Sequence, residues 1–505
     1  MPNALYDALF APHQGSTRPF LYLPDGTVLS YDAFLKLTAQ IAHVLQEEGV
    51  RPGDRVAAQV KKSAKALALY AACIQAGAVF LPLNTAYTPS EVEYFVGNAE
   101  PRLVVCDRAS EEALAPIVEK ADARLLTLDG DGKGTLADDA ARQPDRFVTI
   151  SRTGDDLAAF LYTSGTTGRS KGAMLTQDNL LSNAKSLVEA WRFTADDVLL
   201  HALPIFHTHG LFVAGNVSLL AGGSMIFLPS FKTDEVIGWL PKATSMMGVP
   251  TFYTRLLDDP RFTKELASHM RLFTSGSAPL LAETHNAFEE RTGHRILERY
   301  GMTETNMTTS NPYEGERRAG TVGFPLPNVE IRVVDPETKK VLPNGEVGVL
   351  EVRGPNVFKG YWRMPEKTKE EFREDGFFVT GDVVTIDHDG YVQIVGRAKD
   401  LIISGGFNIY PKEVELLLDE QEGVLESAVI GVPHPDFGEG VVGVVVPRNG
   451  STIDEEKLLS AIHDKIARFK QPKRIFSIDE LPRNTMGKVQ KNILRDRFAD
   501  TFQAK

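Results

Sequence analysis

Cysteine is scarce in this chain: Cys73 and Cys106 are the only two in 505 residues. One pair cannot build a disulfide framework. Both lie in apolar stretches, so they read as reduced core side chains and point to a cytoplasmic protein. Positive charge is in deficit as well. There are 55 Lys and Arg against 67 Asp and Glu, a formal net charge of −12. That balance argues against a general nucleic-acid binder. The first basic residue is Arg18, and no apolar run follows a basic start, so no secretory signal or transit peptide is expected. The end, Phe502-Gln503-Ala504-Lys505, is not a peroxisomal address. Residues 198–231 contain no Asp, Glu, Lys or Arg, but Pro204, Asn216, Pro229 and the Gly222-Gly223-Ser224 turn interrupt them. A spanning helix needs about 20 predominantly apolar residues. A buried helix, a turn and a buried strand at 225–228 are expected instead of a membrane span.

What is present is ordinary globular composition, 43% hydrophobic and 24% charged, with length for two or more domains. Phe34, Leu37, Ile41, Val44 and Leu45 recur at helical spacing, and Gly49 can stop that helix. Strands at 55–60 and 103–106 alternate with helices at 64–75, ended by Gly77, and 89–98. The rhythm continues with a strand at 245–248, a helix at 251–257 and a strand at 272–275. Such alternation predicts α/β sheets with covering helices. Closely spaced strands at 331–334, 348–353 and 391–395 predict a small β-rich lobe. A helix at 411–419 and strands at 428–431 and 441–446 follow. The expected architecture is therefore α/β. It has a large N-terminal body (residues 1–396) of two α/β sheets plus the β-rich lobe, a hinge at 397–400, and a small mobile C-terminal α+β lid (401–505).

The most informative run is Thr163-Ser164-Gly165-Thr166-Thr167-Gly168-Arg169-Ser170-Lys171-Gly172, just after an apolar segment. A loop rich in hydroxyls and glycines lets backbone N–H and side-chain O–H groups close around phosphate oxygens, while cations offset the charge. It is not a Walker A loop, because Lys171 precedes a glycine instead of following one. Residues 465–497 carry ten Lys and Arg against Asp479, Glu480 and Asp496. That strip suits a polyanionic small ligand, though a solvated helix face has the same composition.

The order Thr-Ser-Gly-Thr-Thr-Gly-x-x-Lys-Gly resembles the phosphate loop of the adenylate-forming enzymes: acyl-CoA synthetases, luciferases and peptide-synthetase adenylation domains. Further blocks similar to that family follow in order and cover nearly the whole chain. The resemblance implies that Thr163, Ser164, Thr166, Thr167 and Lys171 hold phosphates. Tyr300-Gly301-Met302-Thr303-Glu304 resembles the block in which Thr303 would contact the α-phosphate. Glu304, with Thr167, would hold Mg²⁺, a hard cation suited to oxygen ligands. Ser275-Gly276-Ser277-Ala278-Pro279 resembles the adenine-side loop. Thr380-Gly381-Asp382 resembles the block whose carboxylate accepts from both ribose hydroxyls. In Gly396-Arg397-Ala398-Lys399-Asp400, Arg397 would contact the nucleotide and Lys399 would be the hinge. Gly405 and Gly406 would let a pantetheine arm pass closely. In the C-terminal block ending Gly487-Lys488, Lys488 would bridge the substrate carboxylate and the α-phosphate. The implied ligands are ATP, Mg²⁺ and coenzyme A, with no nucleic acid, membrane or obligate protein partner.

Amino-acid-activating relatives carry an aspartate where His207 stands, so the resemblance implies an acid without an ammonium group and places His207 at the reacting carboxyl. His201 and His209 read as core residues. Arg299 directly precedes Tyr300, where relatives for neutral acids commonly have a small residue. Arg255 lies in a block whose helix borders the acyl pocket. An arginine in an apolar pocket is costly unless paired. A second substrate carboxylate would pair it, and Ser277 would stand alongside. A short dicarboxylic acid is expected, although either arginine alone could be a structural ion pair, for instance with Glu298. The whole pattern is similar to that of malonyl-CoA synthetases, which implies malonate. Two alternatives stay open: an AMP-forming ligase for acetate or another short acid, and an adenylation module that loads a carrier protein.

Overall fold

The computed structural model describes residues 2–163, 170–404, 407–448, 451–463, 465–484 and 487–503. The chain forms two compact units, Met1–Glu330 with Val352–Phe378, and Ile331–Glu351 with Val379–Lys505. In the first, local chemistry starts and stops the helices. Ser30 caps Tyr31–Glu47 by accepting from the Ala33 N–H, and Gly49 follows at φ 80°. Ser63 caps Ala64–Gln75, and Gly77 follows at φ 72°. The hydroxyls satisfy first-turn N–H groups that lack helical partners. The left-handed turn that ends each helix favours glycine. Pro89–Ala99 starts on a reciprocal Thr88–Glu91 cap.

Among the described residues these helices cover two sheets. The seven-stranded sheet runs Gly360–Tyr361, Lys171–Thr176, Leu157–Thr163, Val79–Pro82, Arg55–Gln59, Leu103–Cys106, Arg124–Thr127. Its last five strands are parallel. Leu157–Thr163 and Lys171–Thr176 are antiparallel, with Thr163 opposite Lys171. The nine-stranded sheet has a parallel centre of Leu297–Met302, Leu272–Ser275, Ser245–Gly248, Val198–His201 and Ser224–Phe227. The carboxyl ends of these strands therefore share one edge, the place where open α/β sheets bind ligands. The helix Pro250–Leu257 is pinned to this sheet. Tyr253 meets Phe288 edge-on, with centroids 5.3 Å apart, and donates to the Thr274 carbonyl at 2.5 Å. Such an aromatic pair adds about 0.5–1.5 kcal/mol beyond its buried area.

The charge-free segment forms a π-helical stretch, His209–Gly215, continuing into the helix Asn216–Ala221, then the strand Ser224–Phe227. The expected single helix changes pitch here, and Gly210 within it packs on the Pro204 carbonyl, where a Cβ would lie 2.0 Å from the oxygen. No helix among the described residues is long and apolar enough to cross a membrane. Cys73 and Cys106 are buried free thiols, and burial raises both pKa values, that of Cys106 to about 12.

In the second unit, Phe378–Ile386 pairs antiparallel with Val392–Arg397. Val424–His434 and Gly438–Pro447 form a longer antiparallel hairpin than the apolar runs at 428–431 and 441–446 indicated. Backbone pairing carries on past the apolar centre to the turn at Gly438, φ 75°. Arg474–Ser477 adds a parallel strand, and the helix Pro411–Asp419 packs its Val414 and Leu418 into the core of this lobe. Residues 397–400 lie inside this unit, as a strand end and a short 3₁₀ turn.

Candidate active site

Four chain segments leave the carboxyl-end edge of the nine-stranded sheet and carry the candidate residues. After the strand Leu272–Ser275 comes Gly276-Ser277-Ala278-Pro279. A Cβ on Gly276 would lie 2.4 Å from the Arg299 guanidinium carbon. Glycine lets that loop lie against Arg299 without moving its guanidinium. Ser277 sits at φ 71°, a left-handed conformation that costs a non-glycine residue energy. Its hydroxyl meets His209 Nδ1 at 3.1 Å.

Arg299 is the most unusual group on this edge. It lies on the strand Leu297–Met302 and is only 2% exposed, and its Nε and Nη2 have no hydrogen-bond partner among the described residues. Burial lowers its pKa to about 9, against partial support from Tyr253 and Glu298. His209 Nε2 is likewise buried without a partner among the described residues. Burial, then the Arg299 charge, holds His209 well below the usual imidazole range, so it is neutral. His207 is half-buried, and its Nδ1 accepts from the His209 N–H at 3.2 Å. Arg255, on the helix Pro250–Leu257, is exposed. The cost of burying a cation therefore applies to Arg299 and not to Arg255.

The hairpin after Leu297–Met302 presents Thr303 and Glu304. A Cβ on Gly301 would lie 1.8 Å from the Asn306 carbonyl oxygen, so this hairpin closes only over glycine. Tyr300 is 8% exposed, and Thr303 is half-buried. Glu304 is buried; its Oε1 accepts from Tyr361 Oη at 3.0 Å and from Thr163 Oγ1 at 3.4 Å. Lys171, across the strand pair from Thr163, is also buried and meets Glu371 at 2.9 Å. Thr163, the first member of the phosphate run, thus comes to the hairpin that carries Glu304, while Lys171 meets Glu371 and the Tyr361 ring beside it. Ser164, Gly165, Thr166, Thr167 and Gly168 lie outside the described residues, as do Gly405 and Gly406.

In the second unit Asp382 is 2% exposed and stands opposite Arg397, whose Nε meets its Oδ1 at 2.8 Å. Thr380 Oγ1 receives the Asp382 N–H at 3.0 Å and donates to the Leu350 carbonyl. This leaves Gly381 to turn at φ 72°. Lys399 is exposed on the short turn that follows. Lys488 is exposed at the end of a tight turn: its N–H bonds Asn484 Oδ1 at 3.0 Å, and Gly487 holds φ 75°.

Residues 11–362 match the model for AMP-binding enzymes, and residues 413–488 match the AMP-binding enzyme C-terminal domain. The chain belongs to the AMP-binding enzyme family. A feruloyl-CoA synthase from Amycolatopsis sp. is 37% identical over 97% of both chains. A malonate–CoA ligase from Arabidopsis thaliana is 36% identical over 88% of this chain and 78% of that one. The crystal structure of ATP-bound MatB from Rhodopseudomonas palustris superposes with a TM-score of 0.98, at 58% identity and full coverage of both chains.

Three groups in this family member were not singled out from sequence as functional. His209 looked like a core histidine; only the fold shows that it reaches Ser277 and feels Arg299. Tyr361 and Glu371 carry no motif spacing, and folding brings them to Glu304 and Lys171 from distant positions. One signal was available for His209, its place two residues after His207.

Proposed function

We propose that this chain ligates malonate to coenzyme A through malonyl-AMP, consuming ATP and releasing AMP and pyrophosphate. The observation that carries the choice of acid is Arg299, a buried guanidinium with two nitrogens that lack partners among the described residues. An unpaired buried charge is costly, and a carboxylate presented to it restores charge-assisted hydrogen bonds. Malonate has one carboxylate to react and one to spare. Malonate–CoA ligases from Arabidopsis thaliana and Bos taurus, each 36% identical to this chain, support the same reading.

In the first half-reaction the free carboxylate of malonate attacks the α-phosphorus and pyrophosphate leaves. Arg299 holds the other carboxylate, with Ser277 and neutral His209 beside it and Arg255 completing the recognition from the exposed side. His207 orients the reacting carboxyl. Thr163, Lys171 and Thr303 hold phosphate oxygens, and Lys488 offsets the charge that moves toward pyrophosphate. Ala278, Pro279, Tyr300, Asp382 and Arg397 bind the nucleoside. Glu304, a buried carboxylate beside the Thr163 hydroxyl, suits the Mg²⁺ that accompanies ATP, with Thr167 as a second ligand. In the second half-reaction, after a turn about Lys399, the CoA thiolate attacks the acyl carbon and AMP leaves.

The test is CoA-thioester and AMP formation by the purified protein with Mg·ATP, CoA and malonate, methylmalonate, succinate, acetate, butyrate or ferulate. Preference for malonate over the monocarboxylates supports the proposal. Preference for acetate, butyrate or ferulate overturns it. Ferulate is the rival that the 37% identical feruloyl-CoA synthase raises, and it would leave Arg299 without a carboxylate.

A further inference from the structure

The strand pair that brackets the phosphate run ends on a compact ionic cluster. Lys171 Nζ lies 2.9 Å from Glu371 Oε1 and 4.0 Å from the centroid of the Tyr361 ring. The Tyr361 hydroxyl stands between two carboxylates, 2.7 Å from Glu371 Oε2 and 3.0 Å from Glu304 Oε1. Lys367 approaches Glu371 at 3.2 Å from the preceding turn of the helix Pro365–Glu371. A phenol carries a single proton, so Tyr361 can donate to only one of the two carboxylates at a time. Lys171 supplies the positive charge that makes this grouping tolerable, and its side chain is only 7% exposed.

That arrangement sets up a competition. Lys171 is the cation assigned above to the phosphates of ATP, and in the folded protein it already has a carboxylate. A phosphate oxygen that takes Lys171 shares its ammonium with Glu371 or displaces that carboxylate, and a phosphate beside Glu371 meets a like charge in either case. We infer that Glu371 is a positioning residue that holds Lys171 as a stand-in for phosphate, so that nucleotide binding competes with an internal ion pair. Tyr361 makes the displacement reversible. Its hydroxyl can shift its donation toward Glu371 when Lys171 leaves, which keeps that carboxylate from being stranded.

This inference rests on the nucleotide role given to Lys171. Titration calorimetry of the full-length protein with ATP, without acid or CoA, tests it. Glu371→Gln keeps the shape and removes the charge, and it should bind ATP about five-fold or more tightly, the scale of a partly buried ion pair. In a Lys171→Met background the same substitution should leave ATP affinity unchanged, because the cation under competition is gone. Unchanged or weaker binding by Glu371→Gln, at a melting temperature matching the unsubstituted protein, overturns the inference. So does equal tightening with and without Lys171. If the unsubstituted protein does not bind ATP, the nucleotide-site reading falls and takes this one with it. Malonate preference does not enter, so failure of the acid assignment leaves the test intact.

Discussion

Arg299 and Arg255 look alike in sequence, one in each of two blocks near the acyl site, and the fold separates them. Arg299 lies against Gly276 and is buried, whereas Arg255 faces solvent. Loss of a buried charge-assisted pair costs about 2–3 kcal/mol, or about 30–150-fold. Arg299→Met should therefore lower kcat/KM for malonate by that factor while changing acetate turnover much less, as steady-state kinetics on both acids will show. Arg255→Ala should cost malonate less than Arg299→Met. Equal losses on malonate and acetate would make Arg299 a structural residue. The hydroxyl and glycine runs could be singled out from sequence because their chemistry is contained in neighbouring residues. The unequal burial of two arginines was not, since it depends on which loop folds against which strand. Tyr361 and Glu371 escaped notice for the same reason, and the reach of His209 to Ser277 was hidden within its reading as a core residue.

The turn that carries Thr303 and Glu304 exists because Gly301 has no side chain where the Asn306 carbonyl passes. Gly301→Ala should open the hairpin, destabilise the first unit by about 2–4 kcal/mol and abolish ATP–pyrophosphate exchange. Denaturant titration and isotope exchange measure the two effects, and a variant that keeps both stability and exchange would show that the backbone can give way. The helix Pro411–Asp419 ends on an acid, at the negative end of its dipole. Burial, with further repulsion from Glu415 and Glu426, raises Asp419 to about 6, against support from Lys412 and Ser427. Its folded pKa is thus above the unfolded value of 3.8. The native state holds the extra proton between these two values. The cost to stability is full above pH 6 and disappears as pH falls toward 4. Asp419→Asn should raise the melting temperature at pH 7 and lose that advantage by pH 4, which calorimetry at both pH values will show. Helix ends at Gly49 and Gly77 were readable from the sequence, because glycine marks a left-handed stop locally. The π-helical pitch of His209–Gly215 was not, because no local residue pattern in the segment marks it.

For the molecule as a whole, the chemistry divides into two half-reactions that need different groups. In the function proposed above, Lys488 is assigned to the first alone. Lys488→Ala should block ATP–pyrophosphate exchange yet largely spare thioester formation from supplied malonyl-AMP. Equal loss in both assays would remove the case for a lid that withdraws Lys488 between steps. The α/β plan and its ordered sheets were visible in the alternation of apolar strands and capped helices. The division by packing was not, since Ile331–Glu351 joins a unit whose other residues begin at Val379. The buried thiols bear on how such a lid could be watched. Cys73 and Cys106 are both enclosed, and both are held as unreactive thiols by burial. A maleimide dye needs an accessible thiolate. The native chain should therefore stay dark to such dyes, and one cysteine placed on the surface of each unit would give a donor–acceptor pair whose energy transfer follows the two units through a single turnover.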